Sequence, residues 1–572
     1  MGNPASFTVR TGSRRPDLDE DYDAEAHRYR DRYVDPDRVS YALSLDAFPG
    51  SEVIDTIVVS GPKGKPKEIE IERLNLPDDA VAYDWHIDQR DGGFERSAST
   101  PIRHHTVGGV SGVFGTPYRK TFRVPEPGVY DIDLQVRLES GGGPTHSTTY
   151  ELSDYLVVSL GDSYASGEGN PDRAGKPAGF DLDTEWWEVV LVPVLLFKVT
   201  TAALRWARDT LKREFTTLSQ AADAEIDMDP EPIWLEEQAH RSLRAGPALA
   251  TGLIEDVRGG DVVTFVSFAR SGAEIQDGLF GPRTEDGDPI DGWIGNDGQI
   301  GELRDLSNRI GDRSIDALLL SIGGNDAGFS GRLSDMVSGD NPFLSLSLGD
   351  DDEARENARQ QVDEALERLA GTDDEPGEFD RLAAALEGFD VEHVYITEYP
   401  TGHFERTENG QVTVEGGCGI FSSFFDADID EADARLMRAS ARRLNDVIRS
   451  KAAEHGWVYV GDIADGFSGR GYCAGEDSFF VSAEESLVTL GDTRGTLHPS
   501  ARGQQVQAES IAPRLRRHMI EGEPVVDASP DGMRAAVGRH DAVGGDPISV
   551  RSLADRFDPS PPDSVRALLR AM

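Results

Sequence analysis

The sequence predicts an α/β chain in which a parallel five-stranded sheet with helices on both faces follows a small all-β sandwich. Two observations predict it. Short period-two segments crowd residues 39–153, and beyond them five apolar runs recur at 155–160, 262–268, 315–322, 393–397 and 457–461, with amphipathic helices between some of them. The length, 572 residues, adds a third, since it exceeds one ordinary core and implies two or three domains.

Residues 1–38 are polar and charged and are expected to be a disordered acidic arm. Arg14-Arg15 is followed by Pro16-Asp17-Leu18-Asp19-Glu20 where an export signal needs an apolar stretch, so these residues predict no signal peptide. In 39–153 the strands are Glu68–Leu74, Tyr118–Val124 and Tyr130–Leu138, with Pro-Glu-Pro-Gly at 125–128 as a turn. A sandwich of immunoglobulin-like type is expected there, resembling the PKD-like modules found beside secreted hydrolases. From 154 to 515 the alternation of runs and helices predicts the doubly wound sheet. Ala358, Val362, Ala365, Leu366 and Leu369 share one helical face. Met437, Ala441, Leu444, Ile448 and Ala452 share another, on a helix stopped by Gly456. An apolar insertion at about 184–225 begins with Trp186-Trp187 and Val189–Phe197, broken by Glu188, Pro193 and Lys198. It is a poor spanning helix and reads either as a buried helix covering the core or as a lid making transient contact with a lipid interface. Residues 516–572 are Pro-, Gly- and Asp-rich and read as a tail.

The formal net charge is −47, from 104 Asp and Glu against 57 Lys and Arg, and the positive charge is mostly arginine. Such a surface repels nucleic acid and anionic membranes and suits a salty medium. Two cysteines, Cys418 and Cys473, make neither a disulfide framework nor a zinc site, and no HExxH string is present, so no metal or cofactor is expected.

The chemistry follows the strands. After the first run comes Gly161-Asp162-Ser163-Tyr164-Ala165-Ser166-Gly167-Glu168-Gly169-Asn170, and after the second Ala269-Arg270-Ser271-Gly272-Ala273. Gly323-Gly324-Asn325-Asp326 follows the third, and Thr496-Leu497-His498-Pro499-Ser500 lies in the last loop. In a parallel sheet, ligands gather at the carboxyl edge that these segments share. Acyl transfer needs a nucleophile, a base and donors aimed at a developing oxyanion. Ser163 is the candidate nucleophile and His498, whose following proline restricts its backbone, the candidate base. Ser166 and Ser271 are weaker nucleophile candidates because neither occupies the turn straight after a strand. Asp162 and Asp326 are expected to shape turns.

These four ordered blocks resemble those of the GDSL/SGNH hydrolase superfamily over about 155–515, closest to its actinobacterial-type lipases and esterases. The resemblance implies a flavodoxin-like sheet and an oxyanion hole made by Ser163, Gly272 and Asn325. It also implies a Cys418–Cys473 bridge, against the alternative of two free buried cysteines, and a wall role for His240 and for Glu398-Tyr399-Pro400. The family usually carries Asp three residues before the histidine; here that position is Gly495. An imidazole needs an acceptor to hold its tautomer, which leaves the Gly495 carbonyl, as in some lipases of the superfamily, or the Asp492 side chain. The function expected is hydrolysis of small-molecule or lipid esters through an acyl-serine. A carbohydrate O-deacetylase and a noncatalytic binding protein on this fold stand as alternatives. The family's habit points outside the cell, the lack of a signal in these residues to the cytoplasm.

Overall fold

The computed structural model describes residues 5–11, 22–23, 28–29, 41–47, 51–60, 66–107, 110–113, 119–176, 228–254, 261–282, 284–285, 288–289, 298–329, 352–372, 374–415, 418–419 and 428–523. The apolar insertion and the tail beyond 523 lie outside them. The chain is a mixed α/β protein with a mainly parallel central sheet. It divides into two compact units, one of Met1–Arg15, Asp35–Tyr155 and Glu255–Thr264, the other of Pro16–Val34, Leu156–Ile254 and Phe265–Met572.

In the first unit, β1 (Phe7–Thr11), β2 (Tyr41–Ala47), β3 (Ser51–Ser60), β4 (Pro66–Leu74), β5 (Ala80–Gln89), β6 (Glu95–Pro101), β7 (Arg119–Val124), β8 (Gly128–Leu138) and the start of β9 (Thr145–Gly161) are the main strands. β2 is flanked by β1 and β7, while β8 lies between β5 and β9, with β6 beyond β5. Alternation dictates the core. Tyr130, Ile132, Leu134 and Val136 of β8 are buried on one face and join Tyr83, Trp85 and Ile87 of β5 and Leu43 and Leu45 of β2 in a single apolar cluster. Phe7 packs edge-on against Trp85, centroids 5.8 Å apart. Part of the segment expected to be a disordered arm is therefore ordered: Phe7–Thr11 pairs with β2, because Ala5 and Phe7 give it apolar surface to bury.

The five apolar runs of the second unit fall on strands. They are β9, β10 (Asp261–Ser267), β11 (Ala317–Ser321), β12 (Val394–Thr397) and β13 (Val458–Val460). β9 pairs with β11, β11 with β12 and β12 with β13, all in parallel, and β10 pairs with β9. β9 runs through residue 153, pairing antiparallel with β8 at Leu152 and in parallel with β11 from Val157. Burial on both sides explains the unbroken apolar runs: all five residues of β11 are buried. Helices α1 (Ser163–Ser166), α2 (Gly246–Ile254), α3 (Gly298–Ile310), α4 (Asp352–Ala370), α5 (Glu378–Leu386), α6 (Glu431–Glu454), α7 (Ala483–Leu490) and α8 (Ala501–Leu515) follow the strands. α4 and α6 bury the two faces read from their periodicity, and Gly456, at φ 69°, turns the chain just past α6. The tail begins later than residue 516, because the helix continues through a π-type turn to Ile520, which is buried.

The register sets the level at which the loops depart. Gly161 lies opposite Ser321 at the ends of β9 and β11, and Arg270 donates its N–H to the Gly161 carbonyl at 3.0 Å. Gln299, fully buried near the start of α3, accepts the Gly161 N–H and donates to the Gly161 carbonyl, both at 2.8 Å. Gln299→Leu, which keeps the volume and removes the amide, is expected to lower unfolding free energy by about 1–3 kcal/mol in urea titration, because it strands the buried Gly161 N–H. An unchanged midpoint would mean that this pairing contributes nothing to stability.

Candidate active site

Ser163 opens the single turn of α1 directly behind β9. Asp162 caps that turn, with Oδ1 accepting the Tyr164 N–H at 2.9 Å, and Gly167 at φ 98° ends it. The Ser163 carbonyl accepts N–H groups from both Gly167 and Glu168 at 3.1 Å. The serine is therefore rigidly held and buried, and its Oγ lies 2.8 Å from Nε2 of His498, 335 residues along the chain.

The loop bearing His498 is fastened on both flanks. Leu497 holds a left-handed φ of 63°, a conformation that costs a non-glycine residue about 1–2 kcal/mol. Two backbone bonds hold it there: Leu497 N–H to the Val481 carbonyl at 3.0 Å, and Val481 N–H to the His498 carbonyl at 2.9 Å. The serine block reaches the same loop. The Asn170 amide donates to the Pro499 carbonyl at 2.5 Å, and a Cβ on Gly169 would stand 3.2 Å from the Gly495 carbonyl.

Neither expected acceptor meets the imidazole. The Gly495 carbonyl accepts the backbone N–H of His498 at 3.2 Å and makes no bond to its ring. Asp492 accepts the Arg494 N–H at 2.9 Å, so its carboxylate closes its own turn. His498 Nδ1 has no hydrogen-bond partner among the described residues; the Thr496 and Arg494 carbonyls lie near enough to favour its protonation without closing a bond. Burial dominates and holds His498 below the ordinary histidine value, with the Glu168 charge opposing. A lowered value favours the neutral form of the ring.

Gly272 and Asn325 sit on loops that brace one another. The Asn325 amide donates to the Ala273 carbonyl at 2.8 Å and Asp326 accepts the Ile275 N–H at 2.9 Å, so two consecutive residues grip the segment after Gly272. Asp326 thus ties two loops together as well as bonding within its own turn. Behind them Arg241 donates to the Ala269 and Phe268 carbonyls at 2.8 and 3.2 Å. The N–H groups of Ser163 and Gly272 make no backbone hydrogen bond among the described residues, and the Asn325 amide keeps a second hydrogen beyond the one given to Ala273.

Several neighbours escaped sequence reading. Tyr399 donates its hydroxyl to Asp162 Oδ2 at 2.5 Å, while Glu398 turns away to accept from Tyr459 at 2.5 Å and from the Ala464 N–H at 2.8 Å. Of that tripeptide, only the tyrosine is tied to the serine turn by a hydrogen bond. Tyr164 contacts His403 Nε2 at 3.2 Å, and burial, with the nearby His498 ring, takes His403 down to about 4. Glu168 is fully buried and lies 2.5 Å from His240 Nδ1. Its one signal in the sequence is an acid between two glycines, Gly167 and Gly169, in the serine block. Ser166 donates to the Ser163 carbonyl at 3.3 Å, a helical back-bond, and Ser271 sits with its N–H on the Ala239 carbonyl at 3.2 Å. Cys418 and Cys473 are joined in a disulfide with Cα atoms 5.5 Å apart. No helix among the described residues is long and apolar enough to cross a membrane.

No family model matches the chain, and no curated protein matches it. Among solved structures it is similar to an extracellular lipase from Streptomyces rimosus, at 19% identity over 63% of this chain and 98% of that one, with a TM-score of 0.34. A phospholipase A1 from Streptomyces albidoflavus shares 19% identity over 64% of this chain and 99% of that one, TM-score 0.33. A carbohydrate esterase, described as having divergent catalytic and non-catalytic binding functions, shares 11% identity over 89% and 97% of the two chains, TM-score 0.24.

Burial pushes the Asp162 carboxyl up to about 7, against the Tyr399 hydroxyl and backbone N–H groups that favour its ionised form. The folded state therefore keeps a proton that the unfolded chain, at about 4, has released. Between those two values stability must fall as pH rises. Asp162→Asn removes that slope: the stability of wild type relative to the variant is expected to decline from pH 4 to pH 7 in denaturant titrations. A constant difference across that window would show that Asp162 ionises at its ordinary value.

Proposed function

We propose that this chain is a serine hydrolase of carboxylic esters, of the SGNH type on a flavodoxin-like sheet, working through an acyl-serine. The observation that carries the reading is the 2.8 Å bond between Ser163 Oγ and His498 Nε2. A buried hydroxyl donating to an imidazole whose neutral form burial favours is a nucleophile with its base already in place.

In the first half-reaction Ser163 Oγ bonds to the ester carbonyl carbon as its proton passes to His498 Nε2. The carbonyl π bond opens and its electron pair goes to oxygen. The Ser163 and Gly272 N–H groups and the second Asn325 amide hydrogen receive that oxyanion. Collapse restores the carbonyl and expels the alkoxide, which takes the proton from His498. In the second half a water attacks the acyl carbon as its proton passes to His498; the adduct collapses with cleavage of the carbon–Oγ bond, Ser163 Oγ takes the proton back from His498, and the acid leaves. The donors belong to three loops that brace each other, so they need little reorganisation as charge develops. The noncatalytic reading accounts less well for a hydroxyl–imidazole contact made between residues 335 apart.

Ser163→Ala is expected to abolish turnover of p-nitrophenyl esters and labelling by a fluorophosphonate, with the label on wild type mapping to the Ser163 peptide. Asn325→Ala should lower kcat by about 10²–10³ with a smaller change in KM, since the donor acts on the transition state. Full activity in Ser163→Ala would remove the proposed nucleophile and the reaction with it.

A further inference from the structure

Glu168 takes no part in the dyad, yet its carboxylate is fully buried. One oxygen is held by His240 Nδ1 at 2.5 Å, and the Ser271 side chain also favours the ionised form; Oε1 has no hydrogen-bond partner among the described residues. A buried carboxylate with an unpaired oxygen is costly and calls for a physical reason. Its place on the chain supplies one. Glu168 is the fifth residue after Ser163 and is tied to it by backbone, while the next two residues, Gly169 and Asn170, contact Gly495 and Pro499 on either side of His498. His240 is fixed in turn, stacked on Trp234 at 4.8 Å and held at φ 48°.

We propose that Glu168, held in place by His240, is a positioning residue that stabilises the charged form of the His498 imidazole through space, where His498 Nδ1 has no carboxylate bonded to it. The proposal rests on the Ser163–His498 reading above. As His498 takes the serine proton it becomes a buried cation with no hydrogen-bonded anion, and Glu168 offsets that charge without touching the substrate. His240 does two opposed things: it fixes the carboxylate, and when protonated it subtracts from the field at His498. The electrostatics agree in sign. Burial works to raise Glu168, but His240 and then His498 outweigh it and hold it at about 2. Burial likewise works to lower His240, and Glu168 reverses that. The other groups facing these rings are His403, Asp492 and Arg494.

The test uses two variants of the full chain, Glu168→Gln and His240→Gln, read by the acidic limb of the kcat/KM profile and by NMR titration of the His498 ring. Removing the anion should lower the His498 pKa, moving the limb to lower pH by about one unit, with kcat down about tenfold and KM little changed. Removing His240 takes away the charge that holds Glu168 ionised, so both readouts should move the same way as in Glu168→Gln, by less because the cation that opposed Glu168 at His498 is lost with it. Loss of packing alone gives no such ordered pair of shifts in the ring titration. An unmoved ring in both variants, or an upward shift in either, would overturn the proposal. Should Glu168→Gln not fold, His240→Gln decides alone: a downward shift supports it and an unmoved or raised ring overturns it. The ring titration needs no turnover, so a wild-type protein unlabelled by fluorophosphonate would sink the hydrolase reading and leave this one to its own result.

Discussion

The site depends on how closely two strands can end beside each other. Gly161 closes β9 at φ 148°, and a Cβ there would stand 2.2 Å from the Ser321 carbonyl. Only glycine permits that approach, and the same carbonyl then accepts the Asp162 N–H at 2.9 Å. The strand pairing thus extends one residue past the sheet and delivers Ser163 at the level where Gly323-Gly324-Asn325 leaves the neighbouring strand. Gln299 fixes the other side of Gly161, and Arg270 comes in from the end of β10. Three of the four chemical blocks are thus tied together at Gly161 and the adjoining Asp162 N–H.

The fourth block is held by different means. His498 comes from a loop with no strand pairing to β9, so its position is set by the Val481 bonds, the strained Leu497 and the clamp from Gly169 and Asn170. The serine block therefore presents Ser163 and also grips the loop that carries the His498 imidazole. The loop bearing Gly272 rests on ions. Arg241 spends its guanidinium on two backbone carbonyls while pairing with Glu236 at 2.5 Å, and Arg270 pairs with Glu302 at 3.1 Å. A planar group with five donors can do this while buried; an ammonium on a flexible stem cannot satisfy that geometry. The arginine-rich balance of the composition has a use here, beneath the site, as well as at the surface.

Much of this was legible, and the limits have physical causes. The strands of the second unit were readable because burial on both faces forbids polar interruption, and α4 and α6 because a helix packed on a sheet must show one apolar stripe. The placement of Ser163, Gly272, Asn325 and His498 was readable because each departs from a strand end or a proline-limited turn. What escaped was set by partners and turn geometry that spacing does not show. Phe7–Thr11 looks like a charged arm until β2 offers it an edge. Gly495 and Asp492 occupy the right spacing, yet each accepts a local turn N–H, and His498 Nδ1 has no hydrogen-bond partner among the described residues. Glu168, Tyr399 and Gln299 carry no motif of their own; their importance comes from what folding places opposite them.

The buried charges around Ser163 are arranged with opposite outcomes. Asp162 and Glu168 lie six residues apart, both carboxylic and both buried, yet one is pushed up to about 7 and the other held at about 2. The difference is the partner. Asp162 faces a neutral phenol and backbone N–H groups, which do not outweigh its desolvation, whereas Glu168 faces an imidazole that can carry a full charge. An ionised Asp162 would place an anion beside the turn that would bind the oxyanion in the proposed reaction, and its burial opposes that. An ionised Glu168 stands instead on the flank toward His498, where positive charge would develop. In the proposed acyl transfer the short serine block would thus keep negative charge down where a negative transition state forms and supply it where the base becomes a cation.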